Sequence, residues 1–221
     1  MSLFSPSELF RLHTMTQVES RLSNQGFCRV AGVDEAGRGP LAGPVVAAAC
    51  ILLNGVLFQN LNDSKKLSPK IRDVLFGEIT TSSNVIYAIG VIDVEVIDQV
   101  NILQATLLAM QMAVKNLKEK ADYLLIDGNK APHFDVPSMT IIKGDNYSLS
   151  IAAASILAKV TRDRIMSELD EKWPMYGFKK HKGYGTAEHL KAIDQYGPSL
   201  HHRQSFAPIR NSLMAKKGDN P

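Results

Sequence analysis

Apolar residues recur along the chain with two spacings, and each spacing predicts a type of secondary structure. Short apolar runs bounded by turn residues predict strands over residues 28–33, 45–53, 85–92, 123–126 and 139–142. Apolar residues three to four positions apart predict helices over residues 5–26, 69–80, 93–100, 102–120, 148–173 and 186–196. Because strands alternate with helices through most of the chain, the pattern predicts an α/β fold.

Local signals mark where several of these helices begin. Ser5 and Ser68 can each cap a helix whose first position is a proline, and Glu8 completes a capping box with Ser5. The helix over residues 148–173 opens with small residues, mainly alanine. Small side chains allow a helix to approach a sheet closely, so we expect this helix to pack directly on the strands.

The chain shows no internal repeat, low-complexity run or linker, which predicts a single domain over residues 1–221. Residues 1–27 form a predicted helical extension before the first strand. Residues 212–221 are polar, and we expect them to form a flexible tail.

Composition is that of a globular protein, with 45% hydrophobic and 21% charged residues. No apolar run reaches the ~18 to 20 residues that span a membrane, and the amino terminus lacks the pattern of a signal peptide. Cys28 and Cys50 form no CxxC pair, so we interpret both as buried small hydrophobic residues in a reducing cytoplasm.

Charge is unevenly distributed along the chain. The net charge is only +3, but Lys179, Lys180 and Lys182 lie together, and His201, His202 and Arg203 follow them. A basic region combined with acidic sites earlier in the chain suggests a phosphodiester substrate and metal-assisted chemistry. Taken alone, the basic segment fits a solvated surface loop equally well.

Acidic residues follow three of the predicted strands. Asp34 and Glu35 follow the first strand, Asp127 follows the strand over residues 123–126, and Asp145 follows the last strand. Each one alone fits an ordinary turn or helix cap. Together they fit a ligand site at the strand ends, and their hard oxygen atoms suit Mg²⁺ or Mn²⁺.

Adjacent residues of a regular strand point to opposite faces of the sheet. For Asp34 and Glu35 to reach one metal centre, we therefore expect the chain to leave strand geometry there, with Gly37 and Gly39 supplying the freedom. The glycine spacing matches neither a dinucleotide-binding fingerprint nor a Walker loop.

The residues in these motifs resemble those of the ribonuclease HII family. Residues 34–45, Asp-Glu-Ala-Gly-Arg-Gly-Pro-Leu-Ala-Gly-Pro-Val, resemble its opening motif. Later segments agree in order: Asp63-Ser64-Lys65-Lys66-Leu67-Ser68, Leu125-Ile126-Asp127-Gly128-Asn129, Lys143-Gly144-Asp145, residues 155–163, Gly183-Tyr184-Gly185-Thr186 and His202-Arg203-Gln204-Ser205-Phe206. The resemblance covers about residues 28–208. The related type III enzymes carry an additional amino-terminal domain, and the 27 residues before the first strand argue against that type.

The resemblance implies a ribonuclease H-like fold, with a central mixed sheet flanked by helices and a carboxyl-terminal helical portion. It also implies a catalytic metal site formed by Asp34, Glu35, Asp127 and Asp145. Substrate contacts are implied for Gly37, Arg38, Gly39, Lys65 and Tyr184, with the glycine segment and the tyrosine recognising the ribose 2′-hydroxyl. A purely structural tyrosine is the simpler alternative for Tyr184.

The implied reaction is endonucleolytic cleavage of the RNA strand of RNA–DNA hybrids, and cleavage on the 5′ side of ribonucleotides embedded in duplex DNA. Two Mn²⁺ or Mg²⁺ ions would support the hydrolysis, which leaves 5′-phosphate and 3′-hydroxyl ends. Such an enzyme would act in the cytoplasm, as a monomer, in ribonucleotide removal and RNA primer processing.

Several roles stay open at this level. Lys66 fits a phosphate contact or a solvated helix entry, and Arg162 with Asp163 is expected to form a structural ion pair. His202 and Arg203 either brace the site or touch phosphate. A non-catalytic nucleic-acid-binding module would explain the basic region but not the clustered acids. A different two-metal enzyme on a similar sheet would explain the acids but not the ribose-contacting segments.

Overall fold

The computed structural model describes residues 4–218, and these residues contain a five-stranded sheet. The strands are β1 (Val30–Ala36), β2 (Val45–Leu52), β3 (Val85–Ile92), β4 (Tyr123–Asp127) and β5 (Ser138–Ile141). Their order is β3-β2-β1-β4-β5. β1 pairs antiparallel with β2 and parallel with β4, so the sheet is mixed, as the resemblance implies.

Eight α-helices lie within residues 4–218. They are α1 (Pro6–Met15), α2 (Gln17–Asn24), α3 (Pro69–Thr81), α4 (Val94–Lys115), α5 (Leu149–Lys172), α6 (Phe178–His181), α7 (Ala187–Tyr196) and α8 (Ala207–Gly218). Three-residue 3₁₀ helices occur at Ser64–Lys66, Gly144–Asn146 and Pro174–Tyr176. Helices α6 to α8 form the expected carboxyl-terminal helical portion.

The sheet is covered on both faces, which explains why β2 is apolar throughout. Val46, Ala48 and Cys50 pack in a core with α5 and α3. The alternate residues of the same strand pack in a second core against α4. Alternation along one strand therefore fills two separate cores.

The small residues at the start of α5 allow the close approach that the sequence predicts. Ala152, Ala153 and Ala154 are fully buried against the sheet. Opposite them, a Cβ atom added to Gly32 in β1 would lie 2.1 Å from the backbone nitrogen of Ile151. Any side chain larger than hydrogen at residue 32 would therefore separate β1 from α5.

The predicted helices differ from the observed ones in two places. The helix predicted over residues 5–26 is divided at Thr16 into α1 and α2. The break predicted between helices 93–100 and 102–120 is confirmed, because α4 is kinked at Asn101, which has the non-helical angles φ 70° and ψ 163°, but the second segment ends at Lys115 rather than at residue 120. The Asn101 side chain accepts hydrogen bonds from the backbone N–H groups of Leu103 and Gln104, so it caps the second segment.

Two further features correct predictions made from the sequence. The tail predicted from residue 212 is helical in α8 as far as Gly218, and residues 219–221 of that tail lie outside the described part. Cys28 is exposed rather than buried, because it precedes β1 at the surface, whereas Cys50 is buried as predicted. Among the described residues, no helix combines the length and the apolar character needed to cross a bilayer.

Contact between β1 and α5 gives a direct stability prediction. We expect Gly32→Ala to lower the free energy of unfolding by about 3 kcal/mol or more, because the new methyl group overlaps backbone atoms of α5. Gly77→Ala, in α3 with open space around it, is the matched control and should gain about 0.5 to 1 kcal/mol. Urea unfolding measures both. Equal effects of the two substitutions would contradict the packing described here.

Candidate active site

The acidic residues predicted from the sequence lie at one edge of the sheet. Asp34 and Glu35 are near the end of β1, and Asp127 ends the parallel neighbour β4. Asp145 lies in the 3₁₀ helix that follows β5, which is parallel to β4. Parallel strands present their carboxyl ends together, and this brings the four acids to the same region.

Asp34 and Glu35 remain within the strand, contrary to the expectation that the chain leaves strand geometry there. β1 pairs with β2 as far as Ala36, opposite Val46. The pairing of β1 with β4, however, ends at Val33 opposite Ile126. Beyond that point one edge of β1 is unpaired, so both acids line the same cleft of about 310 Å³ although they point to opposite faces.

Asp34 is a buried carboxylate with like-charged neighbours. Its side chain is 5% exposed, and its Oδ1 atom accepts a hydrogen bond of 2.7 Å from the backbone N–H of Glu35. Burial, reinforced by the charges of Glu35 and Asp127, raises the pKa of Asp34 well above its usual value. A nearby cation would relieve this cost, so the position fits a metal ligand.

Glu35 and Asp127 connect this cleft to the neighbouring loops. Burial raises the pKa of Glu35, and Arg38, 3.3 Å away, opposes that shift. Asp127 accepts a hydrogen bond of 2.6 Å from the backbone N–H of Gly144. This bond joins the end of β4 to the 3₁₀ helix that carries Asp145.

Asp145 has a partner, Asp63, that was not predicted from the sequence. Its side chain is 4% exposed, and burial, followed by the charges of Asp63 and Asp127, raises its pKa to about 6. A hydrogen bond between the Asp63 and Asp145 side chains adds to that shift. Asp63 also accepts a hydrogen bond of 2.9 Å from the backbone N–H of Lys65. The one available signal was its place in the Asp63-Ser64-Lys65 motif.

Lys65 lies among these carboxylates. Burial lowers the pKa of its ammonium group, but the charges of the surrounding acids outweigh burial and raise it overall; these acids are Asp34, Asp63, Asp145 and Asp127. Within residues 4–218, no three side chains of His, Cys, Asp or Glu already converge closely enough to hold an ion. The donors present are nevertheless carboxylate oxygens, the ligands that Mg²⁺ and Mn²⁺ prefer.

A buried arginine holds the glycine loop, which we define as residues 37–44. Arg203 is fully buried and donates hydrogen bonds to the carbonyl groups of Gly37 (2.6 Å), Arg38 (2.9 Å), Gly43 (2.8 Å) and Pro44 (3.2 Å). Burial is the main cause that lowers the pKa of this guanidinium to about 9. Of the two roles left open for Arg203, the contacts show that it braces the site.

A second buried arginine completes this arrangement. Arg162 is 1% exposed and donates hydrogen bonds of 3.0 Å to the carbonyl groups of Pro44, Ala42 and Lys182. Gly37, at φ 99°, has no space for a side chain, because a Cβ atom there would lie 2.1 Å from Nε of Arg162. The loop and the guanidinium therefore fit closely against each other.

The predicted ion pair between Arg162 and Asp163 is wrong. Consecutive helix residues point in directions about 100° apart, so Arg162 faces the glycine loop while Asp163 faces away from it. Asp163 instead pairs with Lys159 at 2.7 Å and with Arg72 at 3.8 Å. Its structural role stands, with different partners.

Tyr184 lies beside the glycine loop. It is 49% exposed and lines the same cleft as Asp34 and Gly37–Gly39. A Cβ atom on Gly39 would lie 3.4 Å from the Tyr184 ring. The backbone N–H of Leu41 donates a hydrogen bond of 2.8 Å to the carbonyl of Gly183, which ties the two segments together. The structure thus brings the predicted ribose contacts next to the acids.

The basic residues that suggest a phosphodiester substrate do not have equivalent surroundings. A groove of about 460 Å³ is lined by Arg72, Lys159, Arg164, Lys179, Lys180 and Lys182, together with Asp73 and Asp163. Lys182 turns inward, where its ammonium group bonds to Ser167 Oγ at 3.1 Å, and Lys180 pairs with Glu188 at 2.6 Å. Lys66 bonds to the side chain of Asn146. Lys179 is exposed at the groove.

Comparisons with known proteins agree on one family. The sequence model of the family described as Ribonuclease HII matches residues 31–209. A ribonuclease HII of Chlamydia pneumoniae is 54% identical over 206 residues, which are 93% of this chain and 96% of that protein.

Solved structures show the same fold. The ribonuclease H2 of Pyrococcus horikoshii OT3 superposes with a TM-score of 0.72 at 25% identity, over 86% of this chain and 100% of that one. The Bst ribonuclease HIII in complex with Mn²⁺ gives a TM-score of 0.62 at 18% identity, over 86% of this chain and 70% of that one. The expected ribonuclease H-like fold is confirmed.

The carbonyl contacts of Arg203 give a second prediction. Arg203→Lys should lower the free energy of unfolding by about 2 to 4 kcal/mol, because a lysine ammonium cannot reach the separated carbonyl groups that a guanidinium fork reaches. Arg210→Lys, on the exposed side of α8, should stay within about 0.5 kcal/mol of the original protein. Urea unfolding of the two variants makes the comparison. Similar losses in both would show that the carbonyl contacts contribute little.

The raised pKa of Asp145 predicts a pH-dependent stability in protein stripped of metal with EDTA. Its folded pKa, about 6, lies above the usual 3.8, so the ionised carboxylate costs stability above pH 6, and that cost fades as the pH falls towards 4. Asp145→Asn removes the charge and should gain about 1 kcal/mol at pH 7.5, after allowance for solvent screening.

The gain from Asp145→Asn should shrink between pH 6 and 4, as measured by urea unfolding across that range. Asp135→Asn, at a fully exposed carboxylate, is the control and should show no such trend. A gain that stays constant with pH would contradict the electrostatic origin.

Proposed function

The chain belongs to the ribonuclease HII family and is a ribonuclease H, and on this basis we propose which substrates it cuts and which residues act. We propose that it cleaves the RNA strand of RNA–DNA hybrids and cuts on the 5′ side of ribonucleotides embedded in duplex DNA. The products would carry 5′-phosphate and 3′-hydroxyl ends. Residues 1–221 would form a single catalytic domain that acts as a monomer in the cytoplasm.

One observation carries this proposal: a single cleft is lined both by catalytic-type acids and by the segments expected to contact ribose. The residues that line it include Asp34 and Glu35 together with Gly37–Gly39 and Tyr184. A ribonucleotide bound in the cleft would therefore place its 2′-hydroxyl group near Tyr184 and its phosphate near the acids. The 2′-hydroxyl is the group that distinguishes RNA from DNA.

The acids are proposed as the metal ligands of a divalent-metal-dependent reaction. Asp34, Glu35, Asp127 and Asp145 would hold two ions, Mn²⁺ or Mg²⁺, and the complex of the similar Bst ribonuclease HIII with Mn²⁺ supports that choice. Such ions supply an activated water molecule and stabilise charge on the phosphate and on the departing 3′ oxygen. Burial is the main cause of the raised pKa values of Asp34, Glu35 and Asp145, the like charge of neighbouring acids adds to it, and a bound cation would offset both.

Lys65 would act on the substrate phosphate rather than on the metal. Its ammonium group lies in the field of the site carboxylates, and its side chain borders the same cleft. Because it stays protonated, it can bind a phosphate oxygen and offset the repulsion between phosphate and carboxylates. Asp63 positions this lysine through the hydrogen bond to its backbone N–H.

The duplex would continue along the basic groove that begins at Lys159, a residue shared by the cleft and the groove. Lys179 is the lysine of this segment best placed for a phosphate, since Lys180 and Lys182 engage protein groups. Sequence-independent contacts of this kind bind the backbone without selecting ribose. Selectivity is therefore assigned to the glycine loop and Tyr184.

A non-catalytic nucleic-acid-binding module remains the alternative to be tested. It accounts for the basic groove, but buried acids facing the same cleft would repel a phosphate backbone when no metal is bound. A different two-metal enzyme, such as a phosphatase, would require the acids but not the tyrosine beside the glycine loop.

The decisive assay uses a DNA duplex with one ribonucleotide in one strand, in Mg²⁺ or Mn²⁺. We expect one cut on the 5′ side of the ribonucleotide, no cut in the all-DNA duplex and no cut in EDTA. Asp34→Asn should lower kcat by on the order of 10³ or more, because it removes a charged ligand at the reacting phosphate. Asp135→Asn, on the exposed surface, should leave the rate unchanged.

Product ends are identified by gel mobility against markers with known termini. Absence of cleavage by folded protein in either metal would favour the binding-module alternative. Cleavage of the all-DNA duplex at a similar rate would favour a different two-metal enzyme.

A further inference from the structure

Three buried histidines lie beneath Tyr184 and take no part in the chemistry proposed above. His181, His189 and His202 are 9%, 0% and 1% exposed. Their rings pack against one another and against Phe178 and other aromatic residues, with the His181 and His189 rings stacked at 4.4 Å. None of the three lines the catalytic cleft.

Hydrogen bonds between these groups run in a defined direction. The backbone N–H of Ser199 donates to Nδ1 of His202 at 2.9 Å, so this nitrogen must be an acceptor. The other nitrogen of His202, Nε2, therefore carries the proton and donates to Nε2 of His189 at 3.0 Å. Nδ1 of His189 then donates to the carbonyl of Tyr184 at 2.9 Å.

The chain of bonds stays intact at neutral pH. Burial lowers the pKa of His189 to about 4, and burial together with repulsion from the protonated form of His189 lowers the pKa of His202 to about 3. Both rings are therefore neutral, and each has one donor and one acceptor nitrogen. Because every partner is fixed, each ring has a single tautomer.

The bonds end on the backbone of the residue that is assigned to ribose recognition. The Tyr184 carbonyl accepts from His189 and from the backbone N–H of Thr186 at 2.8 Å, while the Tyr184 N–H donates to the His181 carbonyl at 2.9 Å. The tyrosine side chain is half exposed, so its direction depends on the backbone that carries it. A shift of that backbone would move the ring relative to Gly39.

His202 also links this tyrosine to the glycine loop. The next residue, Arg203, donates its backbone N–H to the Leu41 carbonyl at 2.8 Å and its side chain to the Gly37 and Arg38 carbonyls. Adjacent residues of one segment thus hold the two parts of the ribose contact.

We propose that His189 and His202 are positioning residues that fix Tyr184 against the glycine loop and thereby set the preference for a ribonucleotide over a deoxyribonucleotide. The inference rests on the proposed function, because it assigns ribose recognition to Tyr184. It adds residues that do not touch substrate and act through the tyrosine backbone.

Two substitutions of His189 test this proposal, because one removes the hydrogen-bond donor to Tyr184 and the other keeps it. His189→Leu removes the bond to the Tyr184 carbonyl, whereas His189→Asn retains an N–H donor near the position of Nδ1. His133→Leu, at an exposed histidine, is the control. For each variant we would measure kcat and KM on the duplex with one ribonucleotide. We would also measure, in EDTA, the ratio of its affinity to that for the matched all-DNA duplex.

His189→Leu should lower the affinity ratio and kcat/KM by about tenfold or more, because a displacement near 1 Å at a recognition group has effects of that size. His189→Asn and His133→Leu should stay within about twofold of the original protein. In a Tyr184→Ala background, His189→Leu should have no further effect on the ratio, since the ring it positions is gone.

An unchanged ratio in folded His189→Leu, or a loss of equal size in the Tyr184→Ala background, would overturn the proposal. If His189→Leu does not fold, His202→Gln, which keeps a donor towards His189, and His202→Leu make the same comparison. Measurements on the original protein distinguish failure of the proposed function from failure of this inference. If the original protein shows no preference for the ribonucleotide duplex, the proposed function fails and this inference fails with it. If that preference is present, the results for the histidine variants decide whether His189 and His202 position Tyr184.

Discussion

Two guanidinium groups bound to backbone carbonyls determine the shape of the candidate active site. Within residues 4–218, the hydrogen bonds of Arg162 and Arg203 all go to carbonyl groups, and neither arginine forms an ion pair with a carboxylate. Burying an unpaired charge costs several kcal/mol, and hydrogen bonds to charged groups of about 1.5 to 3 kcal/mol each offset that cost. The guanidinium groups therefore fix the positions of the loop carbonyls, and the carbonyls in turn offset the cost of burying the guanidinium charges.

The consequence is that the peptide N–H groups of the glycine loop have a fixed direction. Carbonyls of residues 37, 38, 42, 43 and 44 point inward to the guanidiniums, so the surface facing the cleft is set before any substrate binds. The acids are positioned in a different way, by the strands that carry them. Asp34 and Glu35 project from a strand whose neighbour β4 stops earlier, and Asp127 and Asp145 meet them through a backbone bond at Gly144. A rigid loop and a sheet edge therefore share one cleft.

Much of this arrangement follows from sequence pattern. The strands β1, β2 and β4 were predictable because burial on both faces leaves continuous apolar runs, as in Val45–Leu52, whereas β3 is partly buried and β5 is mostly exposed. The acids were predictable because they follow such runs, and their convergence follows from parallel pairing.

The arginine contacts were not predictable. The partners of Arg162 in the glycine loop are backbone carbonyls about 120 residues away, those of Arg203 are about 160 residues away, and a carbonyl leaves no mark in the sequence. The Asp63–Asp145 contact could not be predicted either, since a carboxyl pair is costly and neither residue alone signals it.

Hydrogen–deuterium exchange of the glycine-loop amides can show directly whether this loop recognises ribose. We would measure it in the Asp34→Asn variant, bound to a duplex with one ribonucleotide or to its all-DNA counterpart. We expect protection of Gly37, Arg38 and Gly39 with the ribonucleotide duplex alone, and equal protection by both duplexes would contradict ribose recognition by the loop.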